Sequence, residues 1–322
     1  MRLLRHVFTI ALLALLFATI STDSVAQSRK DRHSLITIRF GTLPVIQALP
    51  LFVASEKGYF AEQGINVELI PFNSALEKDV ALTAEEISGY FGDMMTPMVL
   101  NANGIPVRML ATIFNPAKDQ RTFAILKAPN SPNRTLKELN DAGIAGSSNT
   151  IIEYITQKIL SFHGIQMEKL NMIETKNIPI RLQMLLSGQV QSAALPEPLV
   201  SLAELKGAGV VADDAGKGIS PTILAFRMEF LKGHPAQTKR FLAAINKAVS
   251  FINQNPNEAR PVMNRYCRIP EPLQRDFTVP TFPKLAAPAY NQVMDVYGWL
   301  KKKGIIKTEM KYIQMVSDVY LP

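Results

Sequence analysis

Cysteine is nearly absent from this sequence: Cys267 is the only one in 322 residues. A lone cysteine excludes an intramolecular disulfide and a cysteine-rich metal site. It reads as a small buried hydrophobe among the C-terminal helices. Histidine is scarce as well, with only His6, His33, His163 and His234. No His/Cys/Asp cluster has metal-ligand spacing, and neither a Gly-x-Ser-x-Gly elbow nor a phosphate loop appears. No catalytic residue, metal site or cofactor is expected, and the chain does not read as an enzyme. Dense basic tracts are missing too. The formal charge is +8, yet the lysines and arginines are scattered apart from Lys301-Lys302-Lys303. That run ends a predicted helix just before Gly304, where cations suit the helix dipole. Nucleic acid is therefore not expected as a partner.

Long apolar runs are confined to the first residues. Arg2, Arg5 and His6 form a short basic region, followed by fourteen apolar or small residues from Val7 to Ile20. Ser24-Val25-Ala26 supplies small residues where a signal peptidase reads, so cleavage is expected between Ala26 and Gln27. The run is shorter than the ~20 residues a membrane span needs. No cysteine lies near the cleavage point to carry a lipid. The expectation is an exported, periplasmic chain, soluble once residues 1–26 are removed.

The remaining length exceeds what one core usually supports, so two lobes are expected. Strands and helices alternate from Leu35–Phe40 onward. Strands read at 66–72, 87–91 and 107–114, with helices through 51–59, 75–82 and after Pro97. This pattern argues for parallel βαβ units flanked by helices. A second set, from Thr122–Leu126 to Val210–Ala212, follows the polar stretch 115–120. After the turn-rich stretch 213–218 comes one strand, Thr222–Phe226, and then almost only helix: 236–253, 256–266, 288–303 and 309–318. One strand followed by helices reads as the chain returning to complete its first lobe. The expected organisation is residues 35–115 and 222–322 in lobe 1 and 116–221 in lobe 2. Two crossings, near 115–121 and 213–221, then make a double hinge. Phe91–Pro97 and Ala193–Pro198 share a pattern of strand, tight turn and proline at the first helical position.

Gly41 through Phe60, with its Leu-Phe-Val-Ala-Ser-Glu-Lys-Gly-Tyr-Phe run, and then Gly64–Glu68 resemble the N-terminal signature of a family of solute-binding proteins. That family serves nitrate, sulfonates, taurine and thiamine precursors. Gly104–Val107, Leu136–Leu139 and Leu185–Val190 are similar to its later segments. The resemblance implies an α/β, two-lobed periplasmic-binding-protein fold of type II, each lobe a mainly parallel sheet flanked by helices. It also implies an ABC-type permease and ATPase as membrane partner. The chain departs from the family at Gln191 and near Ser88-Gly89, where an aspartate is common.

In open parallel sheets, ligands bind at the carboxyl ends of the strands, where helix N-termini converge. Four such turns are visible: Gly41–Gln47, Gly92–Thr96, Gly146–Thr150 and Leu195–Glu197. They nominate Thr42, Leu43, Met94, Met95, Thr96, Ser147, Ser148, Asn149, Thr150 and Glu197 as ligand-binding residues. Ser147, Ser148, Asn149 and Thr150 either cap a helix or offer polar groups to a ligand. Thr96 and Glu197 read as equivalent caps before their prolines. Glutamate is a poor cap, so Glu197 is either a ligand acceptor or a carboxylate favoured by the helix dipole. Met94 and Met95 either line an apolar wall or pack in the core, and Asp93 either caps its turn or meets ligand. The turns hold two acids and no base, which favours a neutral, cationic or zwitterionic ligand with N–H donors, unless Arg121 or Arg227 enters the cleft. The expected function is capture of a small molecule by a monomer and its delivery to an importer. A ligand-sensing receptor docking on a membrane kinase, or an enzyme related to thiamine-pyrimidine synthesis, is the alternative.

Overall fold

Short, mostly apolar runs of three to eight residues form ten strands among the described residues. The computed structural model describes residues 36–133 and 135–322; the expected signal segment, with His6, and His33 lie outside the described residues. The strands are β1 (Thr37–Thr42), β2 (Asn66–Pro71), β3 (Gly89–Gly92), β4 (Val107–Phe114), β5 (Phe123–Lys127), β6 (Ile144–Gly146), β7 (Met172–Glu174), β8 (Ser192–Pro196), β9 (Gly209–Asp213) and β10 (Thr222–Arg227). They make two five-stranded sheets, ordered β2-β1-β3-β10-β4 and β7-β6-β8-β5-β9.

Each sheet contains one reversed strand. β10 runs antiparallel to β3 and β4, and β5 runs antiparallel to β8 and β9, whereas β1–β3, β6–β7 and β6–β8 pair in parallel. The two reversed strands are those that follow the two crossings. A chain that leaves one sheet at the edge where its strands end must enter the other from that same edge. It then travels against the strands already there. The two-lobed architecture stands, and its sheets are mixed, with one reversed strand apiece.

Two cores fill the outer faces of the sheets. Phe40, Phe226 and Phe241 pack with ring centroids 4.7–5.3 Å apart beneath the helices Leu49–Glu56 and Pro235–Gln254. Burying a phenylalanine side chain stabilises by about 1.5–3 kcal/mol. Leu126, Leu182, Leu195 and Val200 form the corresponding core of the second sheet. Cys267 lies in the first core, and burial pushes its thiol well above the ordinary range.

A third apolar cluster draws on both sheets, and the helix Tyr290–Lys302 contributes to it. Its flanks are fastened to β4 by bridges pairing Thr112 with Ala286 and Met109 with Val316. The helix itself lies along the helix Ile151–Phe162 of the second sheet. Trp299 Nε1 donates to Gln157 Oε1 at 2.7 Å, Tyr154 Oη to Asp295 at 2.9 Å, and Lys303 pairs with Glu153 at 2.8 Å. The C-terminal segment expected to complete lobe 1 thus also reaches across to the other sheet. The expected helix 309–318 shrinks to Tyr312–Met315, because the bridge at Val316 draws the chain out along β4.

Asp214 joins the two crossings. It is fully buried, and its Oδ1 accepts the N–H groups of Thr122 at 2.7 Å and Phe123 at 2.9 Å. Its Oδ2 accepts the Ser220 hydroxyl. Burial is the largest influence on this carboxyl and raises it above 3.8, against hydrogen bonds that lower it. Asp214→Ala leaves two amides unpaired and is expected to lower stability by about 3 kcal/mol in urea unfolding, with Asp214→Asn milder. A loss below about 0.5 kcal/mol for the alanine variant, the scale of a neutral surface change, contradicts this role. The folded carboxyl holds its proton more tightly than the unfolded one, so its contribution falls as pH rises from 3.8 through the raised value. Asp214→Asn should flatten that slope.

Candidate functional site

Four turns leave the parallel strands at the edges where the crossings run. After β1, Thr42 is fully buried and its hydroxyl donates to the carbonyl of Leu43 at 3.4 Å. Leu43 is half-buried, and Gln47 lies beyond it with its Oε1 buried and unpaired.

After β3, the cap is Asp93. Its Oδ1 accepts the N–H groups of Met95 at 2.8 Å and Thr96 at 3.1 Å. Thr96 is therefore the second residue of the helix Met95–Ala102, not its cap, and Pro97 is the third rather than the first. Proline is tolerated there because the first four N–H groups of a helix have no partner within it. Met94 and Met95 are buried in the apolar cluster shared by both sheets.

After β6, Thr150 caps the helix Ile151–Phe162 by accepting from Ile152 N–H at 3.2 Å and donating to Ser147 carbonyl at 2.6 Å. Two carboxylates take the neighbouring amides: Glu174 accepts from Ser148 at 2.9 Å and Glu153 from Asn149 at 2.7 Å. The bonds from Ser148 hold the Glu174 carboxyl below its ordinary range. Asn149 is exposed and left-handed, at φ 60°, a conformation asparagine accepts more readily than most residues.

After β8, Glu197 is 5% exposed. Its Oε1 accepts from Arg121 Nε at 2.7 Å, and its Oε2 from Ser201 N–H at 3.1 Å. The helix runs Leu199–Leu205 with Pro198 at its cap position, not at its first helical one, and Glu197, one residue before the cap, reaches forward over Pro198 to the amide of Ser201. Arg121 also pairs with Glu204, while Arg227 is engaged elsewhere, by Glu85 and Glu229.

A cavity of about 360 Å³ opens beside this pair. Arg121, Glu197 and Ser201 line one side; Ile46, Phe114, Leu273 and Phe277 line the other, with Asp119, Gln120 and Asp276 at its charged and polar margin. Of the ten nominated residues only Glu197 lines it; the others sit in the three turns already described. Residues of the 273–280 stretch escaped the sequence reading because an irregular segment between helices has no periodicity to betray a facing side. Of the two cations that the sequence left free to enter the cleft, Arg121 lines the cavity and Arg227 is not among its lining residues.

Polar side chains collect around this region without partners. Among the described residues, Gln47 Oε1, Asn115 Oδ1, Gln120 Oε1, Thr122 Oγ1 and Thr222 Oγ1 are buried and make no hydrogen bond. Buried polar groups are normally paired; Gln47 lies in the turn after β1, Asn115 and Gln120 on the first crossing, and Thr122 and Thr222 where β5 and β10 begin. Among the described residues, no group of three His, Cys, Asp or Glu side chains is arranged to hold a metal ion, and no helix is long and apolar enough to cross a membrane.

Known proteins share this fold. The bicarbonate-binding protein CmpA of a Synechococcus strain is 26% identical over 258 residues, covering 69% of this chain and 55% of the relative. The chain thus spans about half the length of the curated relatives it matches. Among solved structures, the periplasmic aliphatic sulphonate-binding protein SsuA of Escherichia coli superposes with a TM-score of 0.74 at 15% identity, over 88% of this chain and 92% of that one. The periplasmic nitrate-binding protein NrtA of Synechocystis PCC 6803 gives 0.69 at 14% identity, over 89% and 87%. These likenesses show the periplasmic-binding-protein fold. The sequence profile described as "NMT1/THI5 like" matches residues 46–259, and the chain belongs to that family.

Proposed function

We propose that this chain is an extracytoplasmic solute-binding protein that holds a small organic molecule between its two lobes and delivers it to an ABC-type importer. The observation that carries this reading is the cavity itself, which takes Arg121, Glu197 and Ser201 from one sheet's side and Ile46, Phe114 and Phe277 from the other. A ligand seated there touches both sides at once. Such contacts are complete only when the lobes are together, so binding favours that arrangement. The lobes are proposed as residues 35–115 with 222–322 and residues 116–221, with residues 1–26 as the export signal and the importer reading the exterior of a monomer.

The cavity's charge favours an amine-bearing or zwitterionic ligand. Asp119, Asp276 and Glu197 line the cavity together with one guanidinium, Arg121, which is already engaged by Glu197 and Glu204. A small anion would enter among three carboxylates. Phe114, Leu273 and Phe277 supply apolar surface for a carbon skeleton. The lone thiol, Cys267, is buried in the first core, which supports binding rather than catalysis.

Calorimetry with nitrate, bicarbonate, ethanesulfonate, taurine and 4-aminopyrimidine tests the ligand class. An amine-bearing compound is expected to bind at micromolar Kd or tighter, about −8 kcal/mol. Nitrate or bicarbonate binding more tightly than every amine overturns it. Glu197→Gln keeps the capping oxygen and removes the charge. It should weaken the amine at least about tenfold, about 1.4 kcal/mol, while the melting temperature stays within a few degrees. An unchanged Kd would remove Glu197 from the site.

A further inference from the structure

One guanidinium already fills the carboxylate to which the ligand's amine is assigned. Glu197 Oε1 accepts from Arg121 Nε at 2.7 Å, and its Oε2 accepts from Ser201 N–H at 3.1 Å, with the Ser201 hydroxyl 2.9 Å away. An arriving ammonium therefore finds Glu197 paired. Arg121 does not end there. Its Nη2 donates to Ser201 Oγ at 3.4 Å and also to the carboxylate of Glu204. Glu197, Ser201 and Glu204 recur at helical spacing, so one guanidinium spans all three along one side of the helix Leu199–Leu205.

This row of acceptors leads out of the cavity. Arg121, Glu197 and Ser201 line it, whereas Glu204 is not among its lining residues. Side-chain exposure rises along the same path, from 5% at Glu197 through 23% at Arg121 to 39% at Glu204. A buried carboxylate left without its cation is strongly destabilising. Arg121 can therefore quit Glu197 only when another positive charge takes its place. It then keeps a carboxylate partner in Glu204, nearer to water. A neutral molecule of the same shape offers no such exchange. Asp119 and Asp276, at the cavity margin, add negative charge that favours the entry of a cation.

We propose that Arg121 is a stand-in cation: it neutralises Glu197 while the cavity is empty and withdraws to Glu204 when the positive group of a ligand takes Glu197. This inference rests on the solute-binding reading above and deepens it. Arg121 becomes a specificity-determining residue, because it yields to ligands that bring a positive charge and resists neutral ones. The ligand is then a cation or zwitterion whose positive group meets Glu197 and whose carbon skeleton lies on Phe114, Leu273 and Phe277.

The test is calorimetry at neutral pH on the full chain and its Arg121→Gln, Glu204→Gln and doubly substituted variants. Probes are n-butylamine, benzylamine and taurine, beside n-butanol, benzyl alcohol and ethanesulfonate as their counterparts lacking the amine. The wild type should prefer at least one amine over its counterpart. Arg121→Gln removes the competitor and should tighten that amine at least about tenfold. A guanidinium that contacts the ligand, or only braces the fold, would give no gain. The melting temperature of this variant should fall without ligand and recover as the amine is added. Glu204→Gln should weaken the amine about threefold, and that loss should shrink once Arg121 is gone. Amine affinity that falls or stays level in Arg121→Gln overturns the exchange and leaves the broader function intact. An equal loss from Glu204→Gln with and without Arg121 does the same, since a mere change in local charge needs no coupling between the two. Should Arg121→Gln not fold, Glu204→Gln decides alone, and wild-type affinity in it overturns the exchange. Amines that bind neither the wild type nor any variant overturn the ligand class proposed above as well.

Discussion

Asp214 is the point on which the two sheets turn. A buried carboxylate is costly unless its lone pairs are filled, and here they are filled by the first crossing's amides and by Ser220 of the second. The bonds fix where β5 and β10 begin, and hence which edge of each sheet faces the other. The cavity, the unpaired oxygens along the crossings and the turn holding Glu197 all inherit their positions from that junction. Glu197 N–H itself donates to the Thr122 carbonyl at 2.8 Å, on the strand entry that Asp214 holds.

Helix N-termini at strand ends are ready-made anion sites, and relatives in this fold are named for bicarbonate, sulphonate and nitrate. This chain answers three of its four turns with carboxylates of its own: Asp93 after β3, Glu153 and Glu174 after β6, and Glu197 after β8. Each occupies amides that would otherwise meet a ligand's negative charge. The same fold thereby presents acceptors where it would have presented donors. That inversion, more than the shape of the cavity, is the basis for reading the ligand as an amine.

The helix Tyr290–Lys302 adds a connection that a simple double hinge lacks. Its flanks are bridged to β4, while Trp299, Asp295 and Lys303 engage the helix that starts at the Ser147–Thr150 turn. Lys303 and Asn149 N–H share the carboxylate of Glu153. The turn of one sheet is thereby tied to the other through side chains more than a hundred residues apart.

The order of strands and helices, the two crossings and the glycine- and proline-marked turns were legible in the sequence, because periodicity and backbone restriction act over a few residues. Long elements such as the helix Pro256–Tyr266 were legible for the same reason. The caps were misplaced by a residue or two: whether Asp93 or Thr96 closes a helix depends on where the strand before it stops pairing. Sequence alone also nominated the turns without saying which oxygens are already taken. Only the tertiary structure decided that Arg121 binds Glu197 across 76 positions, that Asp214 joins the crossings, and that the Tyr90 hydroxyl is left without a partner. Hydrogen bonds and burial between distant segments have no local pattern, so no window of sequence contains them.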